Sequence, residues 1–202
     1  GGFGAPSSGR YVNIFSTYRA FAALKDDGSI TVWGNSDSGG FGAPSSGRYV
    51  NIFSTYRAFA ALKDDGSITA WGHSSYGGDN APIDGGYTTI VSTQRAFAAL
   101  KDEGSITSWG HSSYGGDNAP TDDGYTSIFS TEYAFAALKE DGSITVWGSK
   151  SLGGCDSGSG TSYYTCKQAS SGPYVNIFST EYAFAALKED GSITVWGYKL
   201  YG

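Results

Sequence analysis

A chain of 202 residues holds 31 glycines, 15 tyrosines, five tryptophans and no methionine, and its formal charge is −6. That acidic balance argues against nucleic-acid binding, which needs clustered Lys and Arg. No apolar run approaches the roughly 18 residues of a membrane span, and no charged segment leads into an apolar one as in a secretory leader. The chain has no initiating Met and reads as a mature region or a piece of a longer, repetitive protein.

In chain order, Tyr11–Thr17 (Y-V-N-I-F-S-T) is a β-rich run. Tyr18 and Arg19 interrupt it as a loop. Ala20–Lys25 (A-F-A-A-L-K) is short and mostly apolar; six residues between turn signals are too few for a stable helix, so a strand is expected. Asp26-Asp27-Gly28 is a hairpin signal, with Gly28 suited to a positive φ. Ser29–Trp33 alternates, placing Ile30 and Val32 on one face and Thr31 and Trp33 on the other. The connector from Gly34 onward has room for a short fourth strand, made irregular and edge-like by Gly39-Gly40 and Pro44.

The same unit then recurs. Trp33, Trp71, Trp109 and Trp147 fall 38 residues apart, and Trp196 follows after 49. Each closes the phrase A-F-A-A-L-K-[DE]-[DE]-G-S-I-T-x-W-G, phasing repeats at 1–38, 39–76, 77–114, 115–152 and 153–201. The first two repeats differ only at Val32/Ala70, Asn35/His73, Asp37/Ser75 and Ser38/Tyr76, which points to recent duplication or deliberate construction. A unit this short cannot bury its own apolar face and must stack on its neighbours. Short antiparallel strands at this period predict an all-β, five-bladed β-propeller of three- to four-stranded blades, one domain over 1–202. Each Trp is expected to fill an interblade gap. If the connector strand belongs to the preceding blade, residues 1–6 would complete the blade of repeat five and close the ring.

Repeat five carries the one irregularity, an 11-residue excess (49 in place of 38) between Gly153 and Pro173. Cys155 and Cys166, the only cysteines, both lie in it. A disulfide there would close a polar, Gly/Ser-rich loop, contribute roughly 2–3 kcal/mol in the chain-entropy account, and imply an extracellular or cell-surface setting.

At A-L-K-D-D-G-S-I-T-V-W-G the chain resembles the repeat of the regulator of chromosome condensation (RCC1) family, whose blade carries a Leu, an Asp-Gly or Asn-Gly turn, a strand and a terminal Trp-Gly. The match recurs at Leu24/Gly28/Trp33/Gly34 and in the other four copies. The units look most like the compact blades of a bacterial β-lactamase inhibitor protein built from this repeat. The family spans nucleotide exchange, enzyme inhibition and general protein binding, so the resemblance implies the propeller fold and not an activity. Family members have seven blades, so five repeats mean either a ring that closes at five or an incomplete ring.

Differences between copies indicate where recognition resides. The strand 2–3 turns, here called bottom, read Lys-Asp/Glu-Asp/Glu-Gly in every copy. The opposite, top rim varies. Its strand 1–2 loops read Tyr18-Arg19, Tyr56-Arg57, Gln94-Arg95, Glu132-Tyr133 and Glu181-Tyr182. The segments after Trp-Gly read N-S-D-S, H-S-S-Y, H-S-S-Y, S-K-S-L and Y-K-L-Y. Tyr, Arg and His are recognition residue types, so the candidate binding residues are Tyr18, Arg19, Tyr56, Arg57, His73, Tyr76, Arg95, His111, Tyr114, Tyr133 and Tyr182. Variation in loops alone would produce a similar pattern. His73 and His111, followed by Asp79 and Asp117, are too sparse for a metal site, and repetition explains their pairing. No acid, base or nucleophile stands apart from the repeat, so no catalysis and no cofactor are expected. The reading is an extracellular binding or adhesion module for a protein or a glycan. An inhibitor of a secreted enzyme and a ligand-free repeat scaffold are the alternatives.

Overall fold

The computed structural model describes residues 4–153, 164–165 and 172–198. Five antiparallel sheets follow one another along the chain. Blade one comprises β1 (Tyr11–Ser16), β2 (Ala20–Lys25) and β3 (Ile30–Gly34). Blade two comprises β4 (Tyr49–Ser54), β5 (Ala58–Lys63) and β6 (Ile68–Gly72). Blade three comprises β7 (Tyr87–Ser92), β8 (Ala96–Lys101) and β9 (Ile106–Gly110). Blade four comprises β10 (Tyr125–Ser130), β11 (Ala134–Lys139) and β12 (Ile144–Gly148). Blade five adds β13 (Tyr164–Thr165) to β14 (Tyr174–Ser179), β15 (Ala183–Lys188) and β16 (Ile193–Tyr198), in the order β13-β16-β15-β14. The first strands of successive blades touch one another, so they form the inner wall of the arrangement. This is the five-bladed β-propeller that the repeat predicts.

The A-F-A-A-L-K strand is apolar on both faces because a neighbouring blade covers each one. Ala20, Ala22 and Leu24, with Phe15, Ile30 and Val32, pack against Tyr49, Ile52, Phe59, Ala61 and Trp71 of blade two. Equivalent residues join blades two to three, three to four and four to five. Among the described residues these four seams have no fifth counterpart between blades five and one. The alanines keep the central strands slim, so two sheets approach closely while Phe and Trp fill the remaining volume. Each Trp stacks on the Phe opposite it in the blade, with centroids 5.2–5.3 Å apart. The indole N–H of Trp71, Trp109 and Trp147 donates to the carbonyl of Gly39, Gly77 and Gly115 in the preceding connector. Trp71, Trp109, Trp147 and Trp196 are therefore interblade core, the first three with their one polar atom satisfied from the backbone, while Trp33 lies on the outer face of blade one.

Two expectations need correction. The connectors of blades one to three carry no fourth strand; each forms a single 3-10 turn, at Ser36–Ser38, Ser74–Tyr76 and Ser112–Tyr114, ended by a glycine with φ of 85–90°. At Gly77 a Cβ would meet the Phe97 ring at 2.7 Å, so the glycine serves both the turn and the packing beneath it. The edge of β16 is occupied by β13 from the insertion, and residues 4–6 form no strand. The extra residues in repeat five reach that edge, which the shorter connectors do not.

Candidate functional site

On the bottom rim, each turn is closed by its own residues. Lys25 N donates to Ser29 O at 2.9 Å, Gly28 N to Lys25 O at 3.0 Å, and Ser29 N to Asp27 Oδ1 at 2.9 Å. The bonds from Ser29 hold the Asp27 carboxyl below its ordinary range, and Asp65, Asp141 and Asp190 are lowered in the same way. The lysine opening each turn lies over the ring of the blade's first tyrosine, as Lys139 does over Tyr125 at 4.8 Å. The repeated bottom charges thus have structural work. Among the described residues no three His, Cys, Asp or Glu side chains gather as a metal cluster would require.

The top rim is built differently. Thr17 receives the N–H of Ala20 on its Oγ1 at 3.1 Å and donates to the carbonyl of Ser38 at 2.8 Å, tying the strand 1–2 loop to the connector of the same blade. Thr55 and Thr93 do the same toward Tyr76 and Tyr114. The two variable segments of a blade are therefore held side by side. Across blades the loops are laced by backbone bonds of 2.8–3.0 Å: Tyr18 N to Tyr56 O, Tyr56 N to Gln94 O, Gln94 N to Glu132 O, and Glu132 N to Glu181 O.

This lacing brings the candidate side chains into one stack. Tyr18 and Tyr56 lie face to face, 4.5 Å apart and inclined by 17°. Tyr56 meets Tyr76 at 6.2 Å. Arg95 is sandwiched between Tyr76 and Tyr114, at 4.9 and 5.0 Å. Tyr114 stacks on Tyr133 at 5.2 Å, and Tyr133 on Tyr182 at 5.6 Å. Arg19 covers Tyr18 and Arg57 covers Tyr76. His73 and His111 stand edge-on to Tyr76 and Tyr114, and each accepts the N–H of a serine two residues on, at 3.2 Å. They cap the 3-10 turns that position those tyrosines.

Four residues that the sequence places on this rim, but not among the candidate binding residues, join the surface. Tyr198 extends the stack beyond Tyr182, at 6.4 Å. Gln94, Glu132 and Glu181 occupy the loop position that Tyr18 and Tyr56 fill in blades one and two. Gln94 donates to the Glu132 carboxylate. Burial, and then the neighbouring Glu181, raises Glu132 above the usual carboxylate range, while a bond from Tyr182 lowers Glu181. That bond pushes the Tyr182 phenol up, and the Arg19 guanidinium beside Tyr18 holds its phenol down. The top rim is thus polar in the electrical sense, with Arg19, Arg57 and Arg95 on blades one to three and Glu132 and Glu181 on blades four and five.

No protein-family model matches the chain, and no curated protein matches its sequence. Solved structures do match it in fold. The ectodomain of the receptor kinase CR4 from Physcomitrella patens aligns with a TM-score of 0.63 at 18% identity, over 96% of this chain and 53% of that one. The CRINKLY ectodomain of the Arabidopsis thaliana receptor kinase ACR4 aligns at 0.61 and 15% identity, over 98% of this chain and 69% of that one. Prp20p from Saccharomyces cerevisiae, the yeast RCC1, aligns at 0.59 and 16% identity, over 93% of this chain and 58% of that one. The chain therefore spans between about half and two thirds of the length of these relatives in fold. Five consecutive blades, each with its Trp-Gly strand end and Asp/Glu-Gly hairpin, have the fold of RCC1-type β-propeller repeats.

Proposed function

We propose that the chain is a non-enzymatic recognition module that engages a protein partner through its top rim. The observation that carries this is the unbroken Tyr/Arg stack running across all five blades. Tyr and Arg anchors held in place before contact lose little entropy on binding, and both are enriched in interface hot spots. Tyr18, Arg19, Tyr56, Arg57 and Tyr76 line an open cleft at the Arg-rich end. A partner presenting acidic groups to that end and basic groups to the Glu132–Glu181 end matches the rim's charge. Propellers of this fold do bind proteins: Prp20p has binding properties toward Gsp1p and histones. At 16% identity that likeness carries the fold alone, so the proposal rests on the rim.

The reading places the module outside the cell, on account of Cys155 and Cys166. Both fall outside the described residues. Free thiols detected by Ellman assay on unreduced protein would remove that support. The rim is tested by affinity capture from extracellular protein fractions alongside a glycan array. Once a partner is in hand, the paired change Tyr56→Ala/Arg57→Ala should weaken it by about 2 kcal/mol, some 30-fold in Kd, with the fold intact. Asp64→Ala/Asp65→Ala on the bottom rim should leave affinity unchanged. The opposite result moves recognition to the other face, and selective glycan binding replaces the protein partner with a carbohydrate.

A further inference from the structure

Among the described residues, the faces that bound the propeller at its two ends are left uncovered, and they are complementary copies of faces that meet inside it. Ile14 of blade one is 58% exposed, whereas Ile52, Ile90, Ile128 and Ile177 at the same position are at most 7% exposed. Phe21 is 42% exposed, against 0–1% for Phe59, Phe97, Phe135 and Phe184. On blade five the opposite face is bare: Phe178 is 56%, Ile193 67% and Val195 52% exposed, while Ile68, Ile106 and Ile144 are at most 8% exposed. The backbone agrees. The carbonyls of Gly28, Gly66, Gly104 and Gly142 each accept the N–H of the next blade's first tyrosine, at 2.9–3.2 Å. Gly191 is the fifth such glycine, and no described residue lies within 4 Å of where its Cβ would be.

We infer that blade five accepts blade one of a second copy of this chain, head to tail. The four internal seams show what covers each face. The residues blade five exposes are those that blades one to four press against a following Tyr-Ile-Phe-Ala-Trp face, and blade one of another chain offers that face. Charge favours the same pairing. Glu181 ends the top rim on blade five, and Arg19 begins it on blade one, over the Tyr18 ring at 5.0 Å. Across a fifth seam Glu181 would stand next to Tyr18 and Arg19 of the incoming chain, with its N–H aimed at the Tyr18 carbonyl as in the four existing loop bonds. The contact is heterologous, since one chain uses its last face and the other its first. Each added chain again presents an uncovered last face, so the series stays open unless its rotation closes into a ring.

Light scattering on the 202-residue chain, from about 1 to 100 µM, spans the range in which a modest interface saturates. The mass should rise beyond one chain with concentration. Ile14→Lys blocks the first face and Val195→Lys the last; each variant alone should keep the parent circular dichroism and remain a single chain. Mixed in equal amounts they should form a two-chain species and stop, because one intact face of each kind remains. Ile193→Lys replaces Val195→Lys if the latter loses the fold. A parent that stays monomeric at all concentrations overturns the inference, whether its last blade closes onto its own first blade or stays bare. So does a mixture that fails to pair, or single variants that still oligomerise.

Discussion

Glu132 shows how the repeat tolerates an unfavourable residue once it reaches the rim. Its carboxyl is half-buried beside Glu181, and burial and the second acid both raise it. A group whose folded value is raised binds protons more readily in the folded state. Folding therefore loses stability as pH rises through that folded value and regains it on acidification. Glu132→Gln keeps the acceptor for Gln94, supplies a donor to Glu181 and removes the charge. After allowance for solvent screening it should raise Tm by roughly 2–4 °C at pH 7, with the gain vanishing near pH 4. Thermal melts at the two pH values check this; an equal gain at both would mean the charge is not the cause. Trp109 is the opposite case, a side chain whose place the repeat predicts and the packing explains. It is buried, stacked on Phe97 and bonded to Gly77 O. Trp109→Ala should cost about 3–5 kcal/mol in urea unfolding. A variant as stable as the parent would remove Trp from the core.

At the scale of elements, the strands and hairpins were legible because they depend on neighbours in sequence. Period-two alternation in I-T-V-W and the Asp-Asp-Gly turn specify β3 and its hairpin locally, and the observed strands agree within a residue or two. The connectors were not legible in the same way. Asn35, His73 and His111 open 3-10 turns rather than strands, because the chain must bend there to lay a glycine against the next blade's Phe. That constraint is tertiary and leaves no periodicity. The turns also predict a pH response. Bonds from Ser29, Ser67, Ser143 and Ser192 lower Asp27, Asp65, Asp141 and Asp190. Groups lowered in the folded state stabilise it above the unfolded carboxylate value near 3.9 and lose that contribution as pH falls through the folded values. Apart from the rise that Glu132 contributes on acidification, Tm should therefore be nearly flat from about pH 7 to 5 and drop steeply below about pH 4. Replacing all four by Asn, which keeps the acceptor and removes the titration, should flatten the acid limb. An unchanged limb would place the acid sensitivity elsewhere, at Asp84 and Asp122 beside Lys101 and Lys139.

For the whole molecule, five near-identical units joined by four near-identical seams make stability a sum of blade and seam contributions. The candidate site follows the same logic. Which residues stand on the top rim was readable from the differences between copies, because strand direction alone decides it. That they stack into one ladder was not, since Tyr76 comes from blade two and Arg95 and Tyr114 from blade three, and only the spacing of the seams brings them together. The seams also set a gradient of protection. Blade three is covered on both sides, with Phe97, Ala98 and Ala99 fully buried, whereas blades one and five each have one covered face. Local opening costs least where fewest apolar contacts must be broken. In hydrogen exchange on the non-associating Val195→Lys variant, amides of β8 should be the slowest. Those of β2 and β15 should exchange at least about tenfold faster, a difference of about 1.4 kcal/mol per decade. Uniform protection across the five blades would show that the propeller opens as one cooperative body, and would remove the additive picture on which the gradient rests.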